Sequence, residues 1–272
     1  MPLTVHSLAS GSSGNCMLVR DDDAVFLIDA GISAVRLVQA LAYMEVAPAD
    51  LAGMFITHEH WDHIAGAVEM AGTYGVPILA NASTLAYIEG ARDVPHRVLD
   101  VGEEMPIGSL AVRSFPVSHD AACTVGYSIS GPGAVVCMAT DTGIITPELR
   151  ADALDANLLI IESNHDTHML RSGPYPPHLK QRILGNKGHL SNETTSGLLA
   201  ELADSGRAIS VWLAHLSKTN NNPKTALATA KQLLGSSFGS SLHVEVAKRG
   251  APSLHWRQDA RPFQMSLFSS GQ

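Results

Sequence analysis

A short run of histidines and acids is the part of the chain best suited to chemistry. Residues 57–63, THEHWDH, hold three imidazoles and the Asp62 carboxylate within six positions. Because this run lies between a buried strand and an amphipathic helix, we disfavour the alternative of a solvated histidine loop. Neutral imidazole and carboxylate are ligands of zinc and of similar borderline metals. The run therefore predicts a metal site.

Six apolar runs along the chain each end at an acid or a histidine. Ligands of α/β sheets gather at the carboxyl ends of the strands. One such ending carries little information, but six in one chain indicate a single site assembled from many strands. The residues at these ends are Asp29, His58, His119, Asp141, Glu162 with His165 close behind, and His215.

The elements that would position these residues alternate between short apolar runs and helical patterns, which predicts a layered α/β sandwich over residues 1–257. The polar residues 258–272 are predicted to form a flexible tail. Strands are predicted at 5–8, 17–19, 25–28, 54–56, 78–80, 110–117, 125–129, 134–139, 158–161, 209–213 and 242–246. Helices are predicted at 34–44, 176–185, 192–204 and 223–234, and from about 63 onward.

Composition limits the partners and the compartment. The 272 residues carry a net charge of −8, so binding to nucleic acid requires a local basic patch. Three cysteines argue against a disulfide framework. Neither a signal peptide nor a membrane-spanning apolar run is evident, so we expect a cytoplasmic protein with no membrane partner.

The HxHxDH run, with Asp29 before it and three further candidates after it, resembles the metallo-β-lactamase superfamily over about residues 1–250. The resemblance implies a four-layer αββα sandwich with two metal ions. Asp29 is implied to lie behind the ligands and to orient a histidine or the loop. The implied ligands are His58, His60 and His119 for one ion, Asp62, His63 and His215 for the second, and Asp141 as the bridge between them.

The bridging residue narrows the chemistry. The commonest β-lactamases of this superfamily have a cysteine where this chain has Asp141, and an aspartate there suits phosphodiester and thioester hydrolases better. Two metals about 3.5–4 Å apart hold a bridging hydroxide that acts as the nucleophile. Asp62 and Asp141 are therefore expected to be catalytic as well as ligating. Zinc and manganese both fit such nitrogen and oxygen ligands.

Three longer segments resemble the YycJ/WalJ group of bacterial exonucleases: SLASGSSGNC, ESNHDTHMLRSGPYPPHLKQRILGNKGHLSNE and LAHLSKTNNNP. The resemblance implies 5′-to-3′ digestion of DNA and a role in DNA repair, while the residues leave RNA open. In phosphodiesterase relatives a histidine in the region of His189 protonates the leaving oxygen, and the alternative is a loop histidine packed near the site. One of Glu162, His165 and Asp166, which follow a strand end, is expected to orient His189 or the substrate, and the alternative is a structural network.

Substrate contacts are expected from a basic stretch and from two polar turns. No acid occurs between Asp166 and Glu193, which favours a groove that follows phosphates over an ordinary solvated helix face. The Gly-rich turn at 10–15 could bind phosphate oxygens through backbone N–H groups or could form a tight hairpin. The candidate substrate residues are Arg171, Lys180, Arg182 and Lys187 in the stretch, Ser12, Ser13 and Asn15 in the first turn, and Asn220 in the second.

The carboxyl-terminal residues contain a short apolar motif. Gln264, Met265, Leu267 and Phe268 resemble the motif with which bacterial polymerases and repair proteins bind the sliding clamp. A soluble protein seldom leaves Leu and Phe together in a loose tail without a groove to receive them. The alternative is that Leu267 and Phe268 fold back onto the same domain.

Two other functions compete with a DNA nuclease. One is a small-molecule hydrolase, such as a cyclic phosphodiesterase or a glyoxalase-like thioesterase, which a deep, narrow, non-basic pocket would favour. The other is a metal-binding adaptor without turnover, against which the intact ligand set and His189 argue. The basic stretch and the clamp-like motif favour the nuclease.

Overall fold

Two seven-stranded β-sheets face each other and enclose the central core. The computed structural model describes residues 2–260. The strands are β1 (Thr4–Ala9), β2 (Cys16–Arg20), β3 (Val25–Ile28), β4 (Met54–Phe55), β5 (Ile78–Ala80), β6 (His96–Val98), β7 (Glu104–Ile107), β8 (Leu110–Pro116), β9 (Val125–Gly131), β10 (Ala134–Ala139), β11 (Leu158–Glu162), β12 (Ile209–Ala214), β13 (Leu242–Val246) and β14 (His255–Arg257).

Helices cover the outer face of each sheet. Helices α1, α3 and α4 pack on the first sheet, and α5, α8 and α9 pack on the second. The helices are α1 (Ala34–Tyr43), α2 (Trp61–Ile64), α3 (Ala67–Tyr74), α4 (Ala82–Tyr87), α5 (Pro147–Asp155), α6 (Thr167–Ser172), α7 (Pro177–Leu184), α8 (Asn192–Ala203) and α9 (Pro223–Leu234).

Alternation of side chains along the strands produces these layers. In β3, Phe26 and Ile28 point into the core between the sheets, whereas Leu27 packs against the helices outside. In β10, Val136 points inward and Cys137 packs against the outer helices. The order of layers is helix, sheet, sheet, helix, which confirms the predicted four-layer sandwich.

Each sheet is half antiparallel and half parallel. The first has the order β14-β1-β2-β3-β4-β5-β6, and the second has the order β13-β12-β11-β10-β9-β8-β7. Strands β3 to β6 run parallel, and so do β10 to β13. The carboxyl ends of these parallel strands share an edge, where the polar residues of the candidate site follow them.

The predicted strands and helices are confirmed to within two residues, with one exception. The helix predicted from residue 63 is two helices, because the chain breaks at Gly66. The Gly66 N–H donates to the Ala30 carbonyl, and a Cβ at this position would lie 2.5 Å from the Ile32 carbonyl oxygen. Strands β6, β7 and β14 and helices α4, α5 and α6 had not been predicted.

The chain returns to the first sheet near residue 260. Strand β14 pairs antiparallel with β1. Gln258, the first residue of the predicted tail, donates its backbone N–H to the Leu3 carbonyl at 3.0 Å. The clamp-like motif lies outside the described residues. Within residues 2–260, no helix has the length and apolar character needed to cross a membrane.

Candidate metal centre

Side chains from both sheets meet at one edge of the sandwich. The rings of His58, His60 and His119 lie 4.6 to 5.2 Å apart, measured between centroids. The residues at this edge follow the ends of their strands as predicted: Asp29 after β3, His58 after β4, His119 after β8, Asp141 after β10, Glu162 at the end of β11 and His215 after β12.

Three of these residues have a backbone conformation that non-glycine residues rarely adopt. The φ angle is 59° at Asp29, 55° at Asp141 and 52° at His215. Left-handed backbone at such residues costs about 1–3 kcal/mol each and is concentrated at functional sites. Each lies within two residues of a strand end, so the strained turn directs its side chain across the edge of the sheet.

Four overlapping groups of side chains could each hold a metal ion. The ligand atoms within each group lie within 4.8 Å of one another. All seven predicted ligands belong to at least one group, and two further residues, Glu162 and His189, join them. The groups are His58, His60 and His119; Asp62, His63 and His215; His58, His63 and Asp141; and Asp141, Glu162, His189 and His215.

The donor set fits a divalent cation. His58 Nε2 is buried and has no hydrogen-bond partner within the described residues. Asp141 Oδ2 lies 2.9 Å from His63 Nε2 but forms no hydrogen bond with it. Buried polar atoms left unpaired cost free energy, which coordination to a metal would recover. Imidazole nitrogens with carboxylate oxygens suit zinc and manganese.

The Asp29 carboxylate contacts His63 at Nδ1, the ring nitrogen that is not the candidate metal-binding atom. His63 Nδ1 lies 2.7 Å from Asp29 Oδ2. The Thr57 N–H and hydroxyl donate to Asp29 Oδ1 at 2.9 and 3.0 Å. An imidazole that donates from Nδ1 to a carboxylate keeps a lone pair on Nε2 for a metal. Asp29 therefore lies beside His63 Nδ1, on the side of the ring away from Nε2, and its role behind a ligand stays a prediction.

Glu162 supports the opposite side of the centre and contacts two histidines. Its Oε1 lies 2.7 Å from His215 Nδ1 and 2.8 Å from His189 Nδ1. Its Oε2 accepts the backbone N–H groups of Thr142 and Leu190, each at 3.1 Å. Four contacts thus fix one buried carboxylate and direct Nε2 of both histidines away from it.

Carboxylates determine the charge of the histidines beside them. Burial lowers the pKa of His58 well below its ordinary value. Burial would do the same at His215, but the Asp141 charge and the hydrogen bond to Glu162 raise its pKa to about 10. Burial would raise the pKa of Glu162, yet His189 and His215 lower it to about 2. Such carboxylates stabilise positive charge at the centre, whether it comes from protons or from a metal that replaces them.

Comparison with known proteins assigns the family. A family model described as "Beta-lactamase superfamily domain" matches residues 25–215, which include all seven predicted ligands. The chain belongs to the metallo-β-lactamase superfamily. It is a metal-dependent hydrolase, and the fold and histidine–carboxylate clusters agree with the divalent metal binding that this superfamily implies.

Its relatives in the superfamily include two nucleases. The chain is 35% identical over 238 residues to exodeoxyribonuclease YycJ of Bacillus anthracis, covering 86% of this chain and 90% of that protein. It is 36% identical over 247 residues to exodeoxyribonuclease WalJ of Streptococcus pneumoniae, covering 88% and 91%. These matches confirm the resemblance to the YycJ/WalJ group.

A solved structure confirms the fold independently. The metallo-β-lactamase fold protein YhfI of Bacillus subtilis superimposes with a TM-score of 0.70 at 18% identity. The superposition covers 94% of this chain and all of that protein.

Asn15, predicted to bind substrate, instead supports the metallo-hydrolase centre from within. It is buried, and its side-chain nitrogen lies 3.0 Å from His63 Nε2 and 3.4 Å from Asp62 Oδ2. Its backbone N–H donates to the Asp62 carbonyl at 2.8 Å. Gly31 packs against both residues, because a Cβ on Gly31 would lie 1.7 Å from the Asp62 carbonyl oxygen and 2.7 Å from the Asn15 backbone nitrogen. The Asn15 N–H is therefore already engaged by Asp62 and not free for a phosphate.

The basic stretch reaches the centre at Arg182. Its guanidinium forms an ion pair with Asp120, the neighbour of His119, and remains 57% exposed. His119 Nδ1 lies 3.1 Å from the Gly188 carbonyl oxygen, so the loop after α7 also holds a candidate ligand. Nothing in the sequence indicates this contact. Lys187 in the same loop is exposed.

The other candidate substrate residues are spread more widely. Lys180 Nζ donates to the Arg171 carbonyl at 2.7 Å, which ties two of the predicted cations together. Ser12 and Ser13 are exposed in the Gly-rich turn. Asn220 is buried, and its side-chain oxygen would lie 2.8 Å from a Cβ on Gly173. Asn220 is therefore a packed residue rather than an accessible one.

His165, predicted to lie behind the ligands, is also buried. Neither of its ring nitrogens has a hydrogen-bond partner within residues 2–260. Its carbonyl accepts the Asn192 N–H at 2.8 Å, so the backbone is fixed. No hydrogen bond of its ring orients a candidate ligand, whereas Asp29 and Glu162 each contact one.

A cavity of about 790 Å³ lies apart from these clusters. It is lined by residues of α1, β1 and the segment after β13, including His6, Arg36, Tyr43, Lys248 and His255. None of its lining residues belongs to a ligand cluster. It is not the deep catalytic pocket that a small-molecule hydrolase would require.

Proposed function

We propose that this chain is a two-metal 5′-to-3′ exodeoxyribonuclease that acts in cytoplasmic DNA repair. The observation that carries the proposal is the position of Asp141, 2.9 Å from His63 Nε2 and 3.8 Å from His119 Nε2. Asp141 Oδ2 lies beside His63, and Oδ1 lies within 4 Å of both His119 and His215, so one carboxylate is near candidate ligands of both halves of the centre. The two relatives named exodeoxyribonuclease supply the substrate class.

In this proposal the centre would hold two divalent ions, zinc or manganese, and Asp141 would be shared between them. When bound, the ions would supply an activated water as nucleophile and neutralise charge on the phosphodiester. The overlap of the four potential ligand groups supports this assignment. His58, His60 and His119 would hold one ion, and Asp62, His63 and His215 would hold the other.

His189 donates the proton that the leaving oxygen requires. Its Nδ1 is engaged by Glu162 at 2.8 Å, which leaves Nε2 as the atom that meets the substrate. One fifth of its side chain is exposed, so a substrate can reach it. A positioned histidine is an effective acid at neutral pH.

Cations beside the centre hold the DNA backbone. Arg182 and Lys187 lie in the segment that also contacts His119, and Arg171 with Lys180 extends the positive charge. On a chain of net charge −8, this cluster supplies the local attraction that a polyanion needs. The exposed Ser12 and Ser13 offer further contacts to phosphate oxygens.

The decisive test is digestion of 5′-labelled linear DNA with manganese, with zinc and with chelator. We expect label to be released with metal and none with chelator, and we expect the His60→Ala protein to be inactive. His96→Ala is the matched control, because His96 is an exposed histidine on β6. Absence of digestion of DNA and RNA with every metal would refute the proposal and point to a small phosphodiester or thioester.

We also propose that Gln264, Met265, Leu267 and Phe268 bind the sliding clamp. These residues lie outside the described part of the chain, so the proposal rests on the motif alone. Deletion of residues 263–272 is expected to abolish capture of purified clamp in a pull-down. Unchanged capture would refute the proposal.

A further inference from the structure

The most exposed large hydrophobic side chain among residues 2–260 stands inside the metal-binding run. Trp61 is 74% exposed and lies between the candidate ligands His60 and Asp62. The other two tryptophans of the chain, Trp212 and Trp256, are 1% and 8% exposed. Single exposed apolar residues are common on proteins, so the place of Trp61 matters more than its exposure.

The backbone that carries Trp61 is fixed on both sides. The His60 carbonyl accepts the His63 N–H at 2.8 Å, and the Asp62 carbonyl accepts the Asn15 N–H at 2.8 Å. Successive Cα atoms are about 3.8 Å apart, so the indole cannot leave the neighbourhood of the two ligands. The solvent-exposed indole of Trp61 is thus carried by a backbone segment that hydrogen bonds hold in place on both sides.

The residue that follows Trp61 in the chain is one of the more accessible members of the centre. The side chains of Asp62 and His189 are 22% and 20% exposed, whereas those of His63 and Asp141 are 0% and 3% exposed. A substrate can therefore reach the centre at Asp62 and His189, and the exposed Trp61 is the chain neighbour of Asp62.

We propose that Trp61 stacks on an unpaired base adjacent to the phosphodiester at the metal centre. The inference rests on the proposed nuclease function and specifies its substrate: the base on Trp61 must be unpaired at cleavage, in a single strand or at a frayed end, because a base inside a duplex is stacked on both faces. Every base has a π-face, so stacking on an indole tolerates all sequences. Stacking thereby complements the phosphate contacts, which are also independent of sequence.

A binding measurement tests the stacking without any turnover. Trp61 is the only one of the three tryptophans that is exposed, so quenching of intrinsic fluorescence on DNA binding reports on it. We would titrate zinc-loaded protein with a short single-stranded oligothymidine that carries hydrolysis-resistant phosphorothioate linkages. The matched ligand has the same backbone without bases. We expect the first ligand to quench the fluorescence and the abasic ligand to leave it unchanged. Equal signals from both would overturn the proposal.

Kinetics of substituted proteins provide the second test. Trp61→Leu keeps an apolar side chain without a ring, and we expect KM for single-stranded DNA to rise about 5- to 150-fold. Trp61→Phe keeps a ring and should restore most of the affinity. Tyr43→Ala removes another exposed aromatic, one that lines the separate cavity, and should leave KM unchanged. Metal content of each protein, measured by elemental analysis, establishes that the ligand run is intact.

The outcomes separate the two proposals. Digestion by the native protein together with an unchanged KM for Trp61→Leu refutes the role of Trp61 and leaves the nuclease standing. Failure of the native protein to digest any nucleic acid refutes the nuclease itself. Fluorescence that responds to a protein partner and not to DNA would assign the ring to protein docking and overturn the proposal.

Discussion

Histidines gather at two places in this protein, and the surroundings shift the pKa of His215 at one place and of His6 at the other in opposite directions. At the candidate metal centre, carboxylates hold the pKa of His215 at about 10 although the residue is buried. At the separate cavity, His6 and His255 stack across β1 and β14, with ring centroids 4.2 Å apart and planes inclined by 9°. There burial, with the charges of His255 and Arg20, lowers the pKa of His6 to about 3.

The difference in pKa between the two places comes from the neighbouring carboxylates and not from the histidines themselves. His63 and His215 each contact carboxylates within 3.5 Å, whereas the neighbours that shift the pKa of His6 and His255 are cationic. None of the four potential ligand groups contains His6 or His255. Burial and cationic neighbours therefore favour the uncharged form of the stacked pair, and carboxylates are what turn such a pair into a place for a cation.

Removing the central charge should have the largest effect. In Asp141→Asn the side chain keeps its size but loses its charge, so we expect metal content to fall and DNA digestion to drop by more than about 100-fold, since loss of a residue behind a ligand already costs about 10–100-fold. Elemental analysis and the labelled-DNA assay measure both. Asp259→Asn, at an exposed ion pair with Arg257, is the control. Native metal content in Asp141→Asn would show that this carboxylate does not organise the centre.

Loss of His189 should impair turnover but not the metal site. For His189→Ala we expect kcat on DNA to fall about 100- to 10,000-fold, because a general acid contributes that much. Metal content should match the native protein. Bis(p-nitrophenyl) phosphate has a leaving group that needs no proton, so the variant should lose far less activity on it. A fall in metal content instead would make His189 a ligand, in the group with Asp141, Glu162 and His215.

The two carboxylates behind the ligands should differ in what they support. Asp29 contacts one candidate ligand, and Glu162 contacts a ligand and the candidate acid. Asp29→Asn and Glu162→Gln should each weaken metal affinity about 10- to 100-fold. At saturating metal, Asp29→Asn should recover its native kcat, whereas Glu162→Gln should stay slow because His189 has lost its partner. Equal recovery of both variants would refute the double role of Glu162.

The sequence predicted the strands and their polar ends because each apolar run stopped abruptly. Such a run must be buried, and an acid or imidazole that follows it can reach water only at the edge of the sheet. For the same reason, the seven predicted ligands are found together. Their metal roles remain predictions, as does the acid role of His189, since both depend on chemistry that packing alone does not determine.

What the sequence did not predict depends on contacts between distant segments. The support that Asn15 gives to Asp62 requires residue 31 to pass against residue 62, and nothing local at Gly31 indicates this. The break at Gly66 follows from its contacts with Ala30 and Ile32. Strand β6 is short and exposes all three of its side chains, so it lacks the alternation that predicts a strand.

The smallest expected effect concerns the stacked histidines His6 and His255 and the free energy of unfolding. In the unfolded chain His6 takes up a proton near its ordinary pKa of 6.5, but in the folded protein its pKa is about 3. Between these values the unfolded state binds more protons, so the free energy of unfolding falls as the pH falls. The loss attributable to His6 is at most about 1.4 kcal/mol per pH unit and becomes small well above pH 6.5.

Replacing His6 with Phe keeps a ring against His255 and removes the titration. We expect the free energy of unfolding, measured with urea between about pH 7 and about pH 5, to fall less steeply in His6→Phe than in the native protein. The metal ligands are the same in both proteins, so their titration cancels in the difference. His96→Phe makes the same change at an exposed histidine and should keep the native slope. Equal slopes for all three proteins would mean that the stacked pair accepts protons as readily as free histidine, and the contrast with the carboxylate-bound histidines of the centre would disappear.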